Sequence, residues 1–496
     1  MAKKNRERHR IDPQTLDPET RHRIKRRREQ RRRERRRRVL ILRGICAAVL
    51  ILLIVGIVTG ISAAVRSGRE RQEAKAEKAR QEQQLQKEKK NTREQKIAEA
   101  KELAEQYDYE AAIETIKSID NAMQDPDLVT ILADYEEAKS NLKAIPASKI
   151  THLMVRTLIA DPQLVFTEQK DTVAAQNSLT VDEFQKMLQQ LYDNGYVLVS
   201  IHDMVSVNDD GEMGSTSVYL PEGKKPFILS QEDVCYDTSL AGKGYATKMI
   251  LQDGKPVSQY QQADGTVVTG AYDVVPLVDA FIEEHPDFSY RGARGLLGFS
   301  GEYGILGYQT SPADTASSQT STETASNEEQ GTSEEASANS MQLSASNTQE
   351  IENVKPVLEA LKAEGWEFAS SSYSHISYAE NFEQTKADAD NWETYVGSVI
   401  GETDVLFFPY GTDIADYTGY NDENETYVYL KNKGFKFFCN IDSSQYWVQI
   451  ATDYVRQGRR SIDGLRLYQD ASGATDRLSD LFDASLIYDA SRPDIG

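Results

Sequence analysis

Gly365-Trp366-Glu367-Phe368-Ala369-Ser370-Ser371-Ser372-Tyr373-Ser374-His375 reads as the end of a helix, a short buried strand, and a polar turn that closes on a histidine. A histidine just past the end of a strand is a common way to present a metal ligand at the C-terminal edge of an α/β sheet. The same rhythm repeats outward from this stretch. Upstream, Ile150 to Leu158 predicts a strand, and Thr180-Val181-Asp182-Glu183 is a capping box that opens a helix closed by Asp193-Asn194-Gly195. Tyr196 to Ile201 and Pro226 to Ser230 predict strands, Val274 to Glu284 a helix, and Phe288 to Gly298 contains a further strand. Val354 to Ala363 is the helix that feeds Trp366 to Ser370. Beyond it come a largely helical Tyr378 to Ile400 and strands at Val405 to Phe408 and Phe435 to Cys439. Strands alternating with amphipathic helices indicate a parallel α/β domain over 149–493, and periodicity alone does not separate a closed barrel from an open sheet.

One segment interrupts this pattern. Gln309 to Glu350 is rich in Ser, Thr, Ala, Glu, Gln and Asn and has no aromatic residue, so it predicts an inserted disordered loop.

N-terminal to the α/β region the chain changes character twice. Met1 to Arg43 carries 19 Lys/Arg against 6 Asp/Glu, a net of +13, so a total of −21 leaves −34 on the rest. So acidic a body argues against nucleic acid as a partner. Gly44 to Val65 has no charge over 22 residues, about 33 Å as a helix, long enough to cross a bilayer. The basic lead is longer than a signal peptide's, so this predicts a single-pass anchor. The N-terminus would be cytoplasmic and everything after Arg66 extracellular, at a cell membrane. Gly56 and Gly60 fit a small-x-x-x-small pattern, a hint of dimerisation through the membrane helix. Within 66–146, Arg66 to Gln95 reads as a solvated charged helix or a disordered stalk. Ile97 to Leu142 reads as a small helical spacer, in which Leu103 to Ile113 resembles one tetratricopeptide helix-turn-helix. Three cysteines give no disulfide framework, although Cys235 and Cys439 would both be outside and could pair.

Three motifs carry chemistry. Ser230-Gln231-Glu232-Asp233 places an acidic pair at a strand end, His375 follows another strand, and Phe407-Phe408-Pro409-Tyr410-Gly411 follows a third. Bland readings exist for each: a solvated turn for the acids, a satisfied structural imidazole for the histidine. Together they resemble the polysaccharide deacetylases (carbohydrate esterase family four, the NodB-homology domain). The resemblance implies a distorted (β/α) deacetylase-type barrel, preceded by one transmembrane helix and the helical stalk. It implies metal-assisted amide hydrolysis on cell-wall aminosugar polysaccharide, with a divalent, zinc-like ion if the protein is active and none otherwise. Carried over, Glu232 takes the general-base position, Asp233 and His375 are metal ligands, and backbone N–H near Tyr410 helps hold the oxyanion.

The departures from the family pattern are as specific. Ser371 stands where a first ligand histidine would be, and Glu232 replaces an aspartate. Phe407 replaces an arginine that orients the base, and no histidine follows His375 to act as general acid. The extra methylene of Glu232 moves its carboxylate by roughly 1–1.5 Å, and a misplacement near 1 Å can cost about a hundredfold. Cys235 is a substitute ligand beside Ser371, provided the backbone after Asp233 stays extended. Tyr373, Tyr410 and Trp447 are candidate glycan-stacking residues. Arg456-Gln457-Gly458-Arg459-Arg460 with Asp463 reads either as a polar site wall or as a surface ion-pair cluster. The sequence therefore supports a hydrolase with degenerate motifs, a non-catalytic glycan-binding pseudoenzyme, or an envelope scaffold.

Overall fold

A computed structural model describes residues 17–312, 343–493 and 495. The chain divides into two compact units, Met1–Glu94 and Gln95–Gly496.

From Pro18 onward the first unit is one long helix, Pro18–Glu105, whose last turns belong to the second unit. Its apolar side chains lie exposed all around the axis, Leu52 at 71% and Leu50 at 61% among them. No other helix among the described residues is long and apolar enough to cross a membrane. A helix apolar on every face has no core of its own to bury into, which suits a lipid environment.

The second unit begins with the end of that helix and two more, Tyr109–Lys117 and Pro126–Asn141. Asp108 and Asp125 cap the latter two, with Pro126 in the first turn of the third. Ala100, Ile113, Ile116, Leu128 and Leu132 form their small core. This spacer packs on the α/β region: Arg291 N donates to Gln106 O at 2.9 Å and Tyr107 Oη donates to Asp287 O at 2.9 Å.

Seven strands follow: β1 (Thr151–Val155), β2 (Lys225–Gln231), β3 (Gly295–Phe299), β4 (Trp366–Ser370), β5 (Val405–Phe407), β6 (Phe437–Ile441) and β7 (Val455–Ser461). Each pairs in parallel with the next, and β7 pairs with β1 through Arg459↔His152, Arg460↔Leu153 and Ser461↔Met154. The sheet is therefore a closed seven-stranded parallel barrel, the deacetylase-type (β/α) architecture expected. It is distorted at two seams: β2 and β3 share two register pairs, β4 and β5 only Ser370↔Leu406. Inside the barrel lie Ile228, Leu296, Ala369, Val405, Phe407, Phe437, Cys439 and Val455. The opposite faces, including Leu153, Phe227, Leu229, Phe299 and Phe438, pack against the surrounding helices. Gly298 is small because Phe407 crosses the interior there: a Cβ would lie 2.6 Å from the phenyl ring and 2.4 Å from Ser371 Oγ.

Several expectations are refined. The capping box is present, with Thr180 N donating to Glu183 Oε2 at 2.8 Å and Glu183 N to Thr180 Oγ1 at 3.1 Å. Tyr196–Leu198 is a strand; it pairs in parallel with the first residues of β2, and Leu198 bridges Ser289, so it fills the start of the seam between β2 and β3. An antiparallel meander, Ala246–Gln252, Lys255–Gln261 and Val267–Gly270, lies between β2 and β3 and is not foreseen from the sequence.

The expected disordered insertion is corrected at both edges. Thr310 and Ser311 are buried, and the helix before β4 runs Ala345–Glu364, capped by Ser344. The rest of that segment, 313–342, lies outside the described residues. The largest correction is β7. Its arginine-rich sequence is not a surface cluster; every residue from Val455 to Arg460 is buried. Outward-facing Arg456 donates to the Asp413 carboxylate at 2.9 Å and to the carbonyls of Ala415, Asp416 and Thr418, and inward-facing Arg459 is paired within the barrel.

Candidate functional site at the C-terminal end of the barrel

The chain still holds its ladder when it reaches Glu232, whose N–H donates to Val155 O at 3.0 Å. Alternation along β2 therefore sends Glu232 inward, like Ile228 and Ser230 before it. There it is 1% exposed, a position a carboxylate tolerates only when paired. Arg459, fully buried on β7, supplies the pair: its Nη2 donates to Glu232 Oε1 at 2.9 Å. The guanidinium also donates through Nε to Asn440 O at 3.3 Å and lies over the Phe407 ring, Cζ 4.2 Å from the centroid. Arg156, past β1, brings Nη2 to 3.8 Å from Glu232 Oε2. Burial alone would raise the Glu232 pKa, but the charges of Arg459 and then Arg156 outweigh it and hold the carboxyl below its ordinary range. Glu232 is thus ionised, with one oxygen tied and Oε2 accepting no hydrogen bond.

Beneath this pair, Gln457 Nε2 donates to Ile150 O at 3.3 Å, which turns its Oε1 toward His152 Nδ1 at 3.1 Å. His152 must then carry its proton on Nδ1. Burial first, then the charge of Arg459, pushes its pKa down to about 3, so this imidazole is neutral.

Asp233 turns out of the ladder at φ +58°. Its Oδ1 accepts the hydroxyl proton of Ser300, past β3. The chain beyond is not extended, since Tyr236 also has φ +54°. The shared face proposed for Asp233 and Cys235 is therefore not formed by strand alternation. Burial, then the negative charges of Asp233 and Asp237, pushes the Cys235 thiol well above its ordinary range, which disfavours a ligating thiolate. Cys235 and Cys439 are both buried free thiols.

Ser371 is fully buried, with N–H donated to Phe299 O at 2.9 Å and Oγ without a partner. His375, at φ +50°, has a buried Nε2 without a partner and sets its ring at 65° to Tyr410, centroids 4.9 Å apart. Glu232, Asp233, His375 and Arg156 all line one cavity of about 260 Å³, with Asp171 and Tyr245 also in its lining. Ser371 and Cys235 are not among its lining residues. Tyr410 is 64% exposed, lifted out by φ +57°. Tyr373 cannot stack on a ligand: it is 5% exposed, packed on Tyr395 and against Gly301. Trp447 is half-buried on the outer side of β7, near Arg456.

The donor set does not fit a divalent ion. Among the described residues no three His, Cys, Asp or Glu side chains converge as ligands. Ser371 offers a neutral hydroxyl where imidazole would bind far better, and Asp233 already accepts from Ser300.

The residues that sequence reading missed are Arg156 and Ser300; Arg459 was read only as part of a segment that could be a site wall or a surface cluster. Arg156 lies inside the predicted strand Ile150 to Leu158, in phase with inward-facing His152. The role of Arg459 depends on ring closure, which no local pattern reveals. The guanidinium implied at position 407 thus comes from a different strand and rests on the phenyl ring that replaced it.

No protein-family model matches this chain, and no curated protein matches it. Solved structures similar to it include two polysaccharide deacetylases. One, from Bacillus anthracis and assigned as a polysaccharide deacetylase, aligns over 65% of this chain and 66% of its own, at 10% identity and a TM-score of 0.32. The other, a polysaccharide deacetylase from Bacillus cereus, aligns over the same shares at 11% identity and a TM-score of 0.31. The chain spans just under two thirds of the length of these neighbours. At so distant a likeness, the architecture rests on the strand pairing described above.

Proposed function

We infer that this chain is a single-pass membrane protein whose deacetylase-type barrel faces the cell exterior and binds cell-wall polysaccharide without metal-dependent hydrolysis. The observation that carries this reading is the composition of the C-terminal mouth. Glu232, Asp233 and His375 share one cavity, yet Ser371 and Cys235, the side chains that could complete a ligand set, do not line it. A deacetylase needs a metal-bound water and a polarised carbonyl; a binding site needs only the cavity, its polar lining and an aromatic edge such as Tyr410. The Arg-rich segment before the apolar helix supports a cytoplasmic N-terminus and an extracellular barrel. The hydrolase reading keeps one observation in its favour: Glu232 is ionised and held by a guanidinium, with Oε2 accepting no hydrogen bond.

The test is retention of the full chain, solubilised in detergent, on insoluble N-acetylated and de-N-acetylated aminosugar polymers in the presence of chelator. The expected result is retention that survives chelation and falls on Tyr410→Ala. Retention that requires added zinc, or none on either polymer, would contradict the reading.

A further inference from the structure

The mouth of the barrel holds more than the residues that line its cavity. Tyr303, in the turn after β3, is 46% exposed. That turn is rigid: Gly301 N and Glu302 N both donate to Tyr373 O, at 2.9 and 3.0 Å, and Gly304 N donates to Gly301 O at 3.1 Å. Gly304 takes φ +87°, and a Cβ there would lie 2.1 Å from Tyr308 O, so the turn admits only glycine. Tyr410 sits on a second tight turn after β5, closed by Gly411 N donating to Phe408 O at 3.0 Å. Around the rim the order of strands gives Asp233 after β2, Tyr303 after β3, His375 after β4 and Tyr410 after β5. Both exposed tyrosines are thus held on preformed turns beside the two cavity residues nearest the rim. A ring held out in water at the cost of backbone strain, as at Tyr410, is a mark of a functional position.

The charges on this arc are mostly negative. The Tyr303 hydroxyl lies in the field of Glu302, then of Asp237 and Asp233, which pushes its pKa up. Asp171 and Glu232 line the cavity behind. Asp171, Asp233, Asp237 and Glu232 set four carboxylates against two guanidiniums, and those two, Arg459 and Arg156, are already engaged with Glu232. The atoms on the cavity without a hydrogen bond are acceptors or can be: Glu232 Oε2, 1% exposed as a residue, and His375 Nε2. An acceptor-rich acidic floor calls for a ligand rich in donors and not itself anionic.

The geometry points to a glycan bearing free amines, a partly de-N-acetylated aminosugar chain, as the ligand of this mouth, with sugar faces stacked on Tyr303 and Tyr410 and ammonium groups toward the Asp233, Asp237 and Glu302 edge. This rests on the glycan-binding reading above and adds to it the charge class of the sugar and a second stacking residue. Stacking uses the ring and not the hydroxyl, so a phenyl group serves as well.

The experiment is calorimetric titration of the detergent-solubilised full chain with three probes: chitosan oligosaccharide, its fully N-acetylated counterpart, and oligogalacturonate. The expected order is chitosan oligosaccharide about tenfold tighter than the acetylated form, with the preference shrinking as salt rises. Oligogalacturonate should not bind. Tyr303→Ala and Tyr410→Ala should each weaken chitosan oligosaccharide about tenfold, while both Tyr→Phe variants retain binding. Tyr417→Ala, an exposed ring on the loop held against the outer side of β7 by Arg456, should change nothing. Glu302→Gln should narrow the preference for the amine. Equal or tighter binding of the acetylated probe, or binding of oligogalacturonate, would overturn the charge assignment and leave the glycan reading standing. Unchanged affinity in both alanine variants would overturn the stacking pair. Absence of binding by all three probes would overturn both the assignment and the reading beneath it.

Discussion

The two ends of the barrel have opposite economies of space and bonding. At the N-terminal end, beneath β4, β5 and β6, lies a groove of about 970 Å³, larger than the cavity at the mouth. Most of its ionisable groups are hydrogen-bonded. His202 Nδ1 and Nε2 donate to Glu367 Oε1 at 2.7 Å and Asp404 Oδ1 at 2.9 Å, and Lys362 Nζ donates to Ile400 O at 2.6 Å. Among the described residues, no buried side-chain atom without a hydrogen bond belongs to a residue of this groove. The mouth has a quarter of the volume, yet around it stand the unpartnered atoms Glu232 Oε2, Ser371 Oγ, His375 Nε2, Asn440 Oδ1 and Arg459 Nη1. Buried polar groups are nearly always satisfied, so a cluster of exceptions marks a place where bonding is left for something else. Volume alone points to the N-terminal end; unfinished hydrogen bonding points to the C-terminal one, where barrels of this type carry function.

The largest expected effect breaks the mouth. Arg459→Met leaves Glu232 charged, buried and unpaired, and should cost about 3–5 kcal/mol of stability. Adding Glu232→Met should recover most of that loss, because an apolar pair of similar volume avoids the desolvation penalty. Urea unfolding of the single and double variants checks this. A single variant as stable as the parent would show that the pair does not hold the strand ends together.

A smaller effect belongs to the floor. Burial alone would lower the His202 pKa, but its hydrogen bonds to Asp404 and Glu367 outweigh that and raise it to about 10. A raised folded-state pKa means that the folded protein binds the proton more tightly than the unfolded one. The stabilisation is then complete below an unfolded pKa of about 6.5 and is lost as pH climbs toward 10. The His202 side chain is 44% exposed, so solvent screening keeps the effect to about 1 kcal/mol or less. His202→Gln should be less stable than the parent at pH 6, and the gap should close by pH 10. A gap that stays constant across that window would mean that the charge is not what stabilises the floor.

How much of this was legible in the sequence depended on whether a signal was local. Trp366–Ser370 and Val405–Phe407 announce themselves as apolar runs between turn residues, and the capping box at Thr180 is readable letter by letter. The placement of Glu232 and Asp233 at a strand end was readable because they directly follow an apolar run, and His375 because it closes the polar turn after one. β7 was not. Val455-Arg456-Gln457-Gly458-Arg459-Arg460-Ser461 looks like surface because its polarity is visible and its partners are not. Arg456 finds Asp413, and Arg460 finds Asp480 at 2.8 Å. Arg459 finds Glu232 only once β7 has closed on β1 and so come within reach of β2. Tyr373 failed in the opposite sense: it lies in a polar serine-rich turn, but Gly301 leaves a slot that its ring fills. Tyr303 carried no sequence signal beyond a turn, and its place on the rim follows only from ring order.

The central claim is that the mouth binds glycan and does not hydrolyse it. Acetate release from an N-acetylated aminosugar oligosaccharide, measured on the full chain in detergent with zinc supplied, tests it most directly. The account predicts no release above the rate without protein. Zinc-dependent release that disappears in Asp233→Ala and in His375→Ala would contradict it, and would make Glu232, Asp233 and His375 a working catalytic set.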